Sequence, residues 1–127
     1  MDISLPMLKN TLITAAKAGA AEILRFFNGN FKISNKEGMN NLVTEADHAA
    51  EKAIFDTIHT AFPEHQLLGE ESGEIIQDSA YKWIVDPIDG TINFANGIPL
   101  NCVSIGIEKD KEIIMGAVFN PHLNEFF

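Results

Sequence analysis

The stretch Asp86-Pro87-Ile88-Asp89-Gly90-Thr91-Ile92-Asn93-Phe94 follows directly on Tyr81 to Val85, which reads as a strand. Two carboxylates three positions apart at a strand end can converge. Pro87 fixes one backbone angle and removes a donor. The turn it helps set would aim Asp86, Asp89 and the Ile88 carbonyl at one point. An all-oxygen shell of that kind suits a hard cation such as Mg2+. Gly90 allows a close backbone turn, after which the amides of Gly90, Thr91 and Ile92 would open a short helix. Such an end attracts phosphate through its donors and its dipole. Asp-Pro or Asp-Gly alone is an ordinary turn pair; the specific signal is the whole string placed after a strand.

Working outward, residues 3 to 28 read as a helix, with Leu8, Leu12, Ala15, Ala16, Ile23 and Phe27 at helical spacing. Gly19 falls on the same face, small enough to let another element approach. Asn28-Gly29-Asn30 ends the helix, Phe31 to Ser34 reads as a short strand, and Asn35 to Asn41, with Gly38, as a loop. A second helix is expected from about Thr44 to Ala61. Thr44-Glu45-Ala46-Asp47 matches a capping box in form at its start, and Ala50, Ala53, Ile54 and Ile58 would face the core. Phe62-Pro63 closes it. Gln66 to Gly69 reads as a strand that delivers Glu70 and Glu71. Cys102 to Ile107 and Ile113 to Phe119 read as strands around a turn at Lys109-Asp110-Lys111, with Gly106 and Gly116 marking close packing or bulges. After a turn over Pro121 to Asn124, Glu125-Phe126-Phe127 would begin a third strand.

The 127 residues set one domain as the default, and 46% hydrophobic residues fit a folded protein with a small core. No apolar run approaches the roughly 20 residues of a membrane span. The start, Met1-Asp2-Ile3-Ser4, lacks the basic opening of a secretory signal. One cysteine, Cys102, expected in the core, excludes an internal disulfide, so the cytoplasm is the expected location. A formal charge of −9 makes nucleic acid and anionic membrane poor partners. It opposes a phosphorylated ligand too, unless bound divalent cations invert the local field. His48, His59, His65 and His122 show no metal-site spacing and are expected on the surface or on helix faces.

The nine-residue string resembles the signature of the inositol monophosphatase family, Asp-Pro-Ile-Asp-Gly-Thr followed shortly by Asn-Phe. Leu68-Gly69-Glu70-Glu71-Ser72 is similar to that family's acidic motif at a strand end. Leu42-Val43-Thr44-Glu45-Ala46-Asp47 is similar to the segment whose aspartate lies near the attacking water. The resemblance covers essentially the whole chain. It implies an α/β, layered sugar-phosphatase-like fold in which two helices pack on a largely antiparallel sheet. It also implies a Mg2+-dependent phosphoric monoester hydrolase. Glu70, Asp86 and the Ile88 carbonyl would bind one metal, and Asp86 and Asp89 a second. Thr91 and Asp47 would orient the nucleophilic water, while the Gly90 and Thr91 amides hold phosphate oxygens. Lys36 falls where many members carry a lysine near the metals. From the residues alone, Asp47 is equally the far partner of a capping box, and both roles stand as expectations. Glu71 is expected as an outer or surface charge.

Members of the family are about twice as long, and their second half carries a Trp-Asp motif that completes the second metal site. The sole tryptophan here, Trp83, is followed by Ile84. Residues 1–127 are therefore expected to be the amino-terminal, metal- and phosphate-binding half, without turnover of their own. For the parent protein the resemblance implies a homodimer acting on inositol monophosphate or a related sugar phosphate. A 3'(2'),5'-bisphosphate nucleotidase or a fructose bisphosphatase of the same superfamily is the alternative. An alternative of another class is a noncatalytic module that binds metal or a partner chain.

Overall fold

Ser4 caps the first helix, α1 (Leu5–Phe27), its hydroxyl accepting from the Met7 amide at 3.3 Å. Pro6 sits in the first turn, where an absent N–H costs nothing. In this computed structural model, residues 4–27, 36–90, 98 and 101–127 are described, with side chains in the second helix described from residue 45 onward. The Asn28-Gly29-Asn30 stop and the Phe31–Ser34 strand lie outside the described residues. The apolar stripe of α1 is buried as its spacing predicts: Leu8, Leu12, Ala15, Ala16, Gly19, Ala20 and Ile23. Phe26 completes the stripe, and Phe27 is only half-buried.

The second helix, α2 (Lys36–Ala61), begins well before Thr44. This corrects the expected loop over Asn35 to Asn41, of which residues 36–41 are helical. A lone Gly38 costs about 1 kcal/mol relative to Ala, which an already nucleated helix can absorb. It also removes the capping box, because Thr44 to Asp47 lie inside the helix, where backbone amides already have partners. Ala50, Ile54 and Ile58 are buried, and Ala53 is half-buried. The chain leaves the helix at Phe62, whose amide still donates to the Ile58 carbonyl at 2.7 Å.

Among the described residues six strands follow: β1 (Gln66–Gly69), β2 (Gly73–Ile75), β3 (Tyr81–Asp89), β4 (Cys102–Lys109), β5 (Glu112–Asn120) and β6 (Glu125–Phe126). They form one sheet in the order β2-β1-β3-β4-β5-β6. Every neighbouring pair is antiparallel except β1 with β3, which run parallel. Both helices cover one face. Trp83, Val85, Val103, Ile105, Ile107, Ala117 and Phe119 pack beneath them. The β4–β5 hairpin turns on Asp110 and Lys111, both at positive φ (52° and 69°), the twist that two-residue hairpin loops favour. Gly106 and Gly116 face each other across that hairpin. A Cβ on them would meet nothing nearer than 3.8 and 3.6 Å, so neither marks a close approach. The register shift lies instead between Ile107 and Glu108. Cys102 is half-buried in β4 rather than in the core. Among the described residues no helix is long and apolar enough to cross a membrane.

His65 departs from the surface role expected of it and is 1% exposed. The Trp83 indole N–H donates to its Nδ1 at 2.9 Å, and the ring lies stacked between Phe62 and Tyr81. Because Nδ1 accepts, the neutral ring carries its proton on Nε2, which is buried without a partner. Burial holds the imidazole pKa below its ordinary value. His122 is also tied down, its Nε2 lying 2.9 Å from the Asn101 side-chain oxygen. His48 and His59 are exposed, as expected.

Gly19 seats α1 against α2. A Cβ there would stand 2.6 Å from Ile54 Cδ1 and 2.8 Å from Ile54 Cγ1, closer than carbon atoms pack. Gly19→Ala is expected to lower stability by about 1–3 kcal/mol through overpacking, despite the helix propensity it gains. In an Ile54→Ala background the added methyl enters vacated space, and the same change should be neutral or stabilising. Urea midpoints of the four proteins in this cycle measure the coupling.

Candidate functional site

The parallel register of β1 with β3 sets Gly69 opposite Val85. The next residues, Glu70 and Asp86, therefore leave neighbouring strands at the same end of the sheet. Carboxyl ends of parallel strands are where α/β sheets usually expose ligand-binding groups. Glu70 hydrogen-bonds the Asp86 side chain and raises its pKa electrostatically. The 16 positions separating them in sequence are spanned by the β2 edge strand and its return.

Asp86 to Asp89 lie within β3 rather than in a turn after it. Asp86 pairs with Ser104 and Asp89 with Cys102, so β3 spends one more residue than β4 over this interval. That extra residue is a β-bulge. It falls at Pro87-Ile88, where a residue without an N–H cannot serve the ladder. In a regular strand, residues three apart point to opposite faces. The bulge returns Asp89 to the face of Asp86. Asp89 lies close enough there to help raise the Asp86 pKa. Ile88 is 2% exposed, and its backbone N–H, lying toward the Asp86 carboxyl, partly offsets that rise. Gly90 follows at φ 94°, a conformation that favours glycine. Thr91, with the amides expected to open a short helix, lies outside the described residues. Lys36 is the first residue of α2 rather than a loop residue, and its side chain is outside the described set.

α2 adds Asp47 from above. It is 7% exposed, with one carboxyl oxygen buried and unpartnered. Its pKa is pushed up to about 7, first by burial and then by repulsion from Glu71, Glu70, Asp86 and Glu51. Asp86 is raised to about 6, by burial first, then by Glu70 and Asp89, and it too has a buried, unpartnered oxygen. The structure thus gathers Asp47, Glu70, Asp86 and Asp89 at one end of the sheet. Glu71 is an outer charge with an exposed, loose pairing to His48 at 3.7 Å. Among the described residues, no three His, Cys, Asp or Glu side chains stand close enough to enclose a metal ion by themselves. A groove between the helices, lined by Asn10, Thr14, Thr57 and Thr60, holds Asp56 alone of ionisable groups. Asp56 is paired with Lys52 at 2.7 Å, so that groove offers no competing chemistry.

One acid in this cluster was not singled out by its motifs. Glu51 stands one turn beyond Asp47 and is 1% exposed. Its carboxylate accepts from the amides of Glu71 at 2.9 Å and Ser72 at 2.8 Å. Its position within the stripe Ala50, Ile54, Ile58 was the available signal, since an acid on a core face needs partners.

A family model described as the inositol monophosphatase family matches residues 6–127. The chain belongs to that family. Inositol monophosphatase 2 of Solanum lycopersicum is 42% identical over 120 residues, which are 91% of this chain and 45% of that protein. A protein of Aquifex aeolicus named fructose-1,6-bisphosphatase/inositol-1-monophosphatase is 38% identical over 115 residues, 89% of this chain and 43% of that one. Among solved structures, the extragenic suppressor protein SuhB of Bartonella henselae superposes with a TM-score of 0.82 at 37% identity, covering 94% of this chain and 46% of its own. This member of the family spans about half the length of the curated relatives it matches.

The raised acids carry a stability signature. A carboxyl whose folded pKa lies above its unfolded value favours folding most at low pH, and that contribution is lost as pH rises through the folded pKa. For Asp47 the window runs from about 3.8 to about 7. Asp47→Asn should therefore stabilise the metal-free chain at pH 8, by at most about 4 kcal/mol, and by little at pH 4. Thermal melts of both proteins in chelator across that range test it; a helix-capping aspartate would give no such pH-dependent gain.

Proposed function

We propose that the protein containing this chain hydrolyses a small phosphate monoester with Mg2+ as cofactor, and that these residues supply most of its metal site. The observation that carries the reading is the bulge that sets Asp89 on the face of Asp86, beside Glu70. The donor set fits a hard cation: carboxylates, one peptide carbonyl, and buried oxygens on Asp47 and Asp86 that lack partners. Glu70, Asp86 and the Ile88 carbonyl would hold one Mg2+, and Asp86 and Asp89 a second, with water completing the shells. Bound Mg2+ supplies positive charge to the phosphate and lowers the pKa of the attacking water.

The remaining steps belong to the chain. Asp47, buried above the cluster, would with the Thr91 hydroxyl orient the water for in-line attack. By the family resemblance, the amides of Gly90 and Thr91 would hold phosphate oxygens and Lys36 would add a cation near the metals. Inositol monophosphate or a related sugar phosphate is the substrate class we favour, in a homodimeric, cytoplasmic protein. The bisphosphatase named among the relatives makes fructose bisphosphate the first competitor in a substrate panel.

In a complete protein containing these residues, Glu70→Gln or Asp86→Asn should lower turnover roughly a thousandfold or more while the far-UV spectrum is unchanged. Phosphate release should stop in excess chelator and return with Mg2+. Undiminished release in chelator would remove the metal from the mechanism.

A further inference from the structure

We propose that Glu51 is a positioning residue for the metal site: its buried carboxylate grips the backbone just past Glu70 and so fixes where the Glu70 carboxyl stands relative to Asp86. Each oxygen has its own task. Oε2 accepts from the Glu71 amide at 2.9 Å and Oε1 from the Ser72 amide at 2.8 Å. Hydrogen bonds from amides to a carboxylate are charge-assisted and stronger than neutral ones. Two successive amides held by one carboxylate define the path of the chain as it leaves β1. Without that grip these amides, at the head of the β1–β2 turn, would have to find water.

Space has been left for the carboxylate. A Cβ on Gly69 would lie 2.5 Å from the Glu51 carboxyl carbon and equally close to Oε1. The requirement for glycine at position 69 is therefore steric and imposed from α2. Asp47 and Glu51 stand one turn apart on that helix, so a single rigid element places both the acid above the site and the clamp on its edge. A ligand-bearing segment held by such outer contacts keeps its geometry when charges crowd it.

This inference rests on the reading of Glu70 as a metal ligand, and the test separates the two. Mg2+ binding to the 127-residue chain is measured by titration calorimetry for the unmodified protein, Glu51→Gln, Gly69→Ala and Glu70→Gln, with thermal melts alongside. Amide exchange at Glu71 and Ser72 reports the grip directly. Glu51→Gln should weaken Mg2+ at least about tenfold and speed exchange at both amides. Gly69→Ala, which displaces the carboxylate without altering any charge, should weaken Mg2+ in the same direction. If Glu51→Gln does not fold, Gly69→Ala decides alone. Unchanged Mg2+ affinity in Gly69→Ala, with exchange at the two amides accelerated, overturns the positioning role, whatever Glu51→Gln does. Equal affinity in the unmodified chain and Glu70→Gln, or no Mg2+ uptake at all, overturns the metal reading and takes this proposal with it.

Discussion

The hydrogen-bonded register of β1 against β3 is the constraint on which the chemistry of the chain depends. Among the described residues it is the sole parallel pairing in the sheet, and it brings two strand ends to one edge pointing the same way. An antiparallel pairing of the same strands would send Glu70 and Asp86 to opposite ends. The short β2 excursion makes the parallel arrangement possible without a crossover helix, which leaves both helices free for the opposite task. They cover one face, and α2 runs far enough to bring Asp47 and Glu51 over the strand ends. The tight α1–α2 contact at Gly19 and Ile54 and the Trp83–His65 contact in the core between helices and sheet hold that geometry.

The site is assembled against its own electrostatics. Burial and mutual repulsion raise both Asp47 and Asp86, and no Lys or Arg among the described residues is paired with either. Folding therefore places at one edge a set of acids that would be more comfortable in water. The cost is met by the apolar core beneath, Trp83, Val85, Val103, Ile105 and Ile107, which is packed by residues with no part in the chemistry. A cluster raised in this way is a common mark of functional carboxylates, since structural acids are usually paired.

Much of the fold was legible in the sequence because it followed simple periods. The α1 stripe, the β1 and β3 strands and the β4–β5 hairpin each stand close to where spacing put them. The family resemblance was legible too, since it lay in contiguous strings. What escaped had physical reasons. The early start of α2 was hidden by Gly38 and a polar run, which local propensity reads as loop but which helix propagation overrides. The capping box at Thr44 to Asp47 was a pattern without its boundary. His65 looked peripheral because its burial depends on Phe62, Tyr81 and Trp83, contacts that no local window contains. Glu51 was silent for the same reason, its partners being backbone amides 20 and 21 positions away.

The bulge at Pro87-Ile88 carries a consequence for how this strand can change over time. Two acids could share a face with a spacing of two in a regular strand, and no irregularity would be needed. The spacing of three instead takes Pro87 and Ile88 out of the regular ladder between the two acids. Deleting one residue between the two acids would mend the ladder, and inserting one would lengthen the bulge. The deletion would keep both acids on one face but lose the irregular backbone between them, and the insertion would move Asp89 out of register with Asp86. The number of residues between Asp86 and Asp89 therefore shapes this edge of the sheet as much as their identity does.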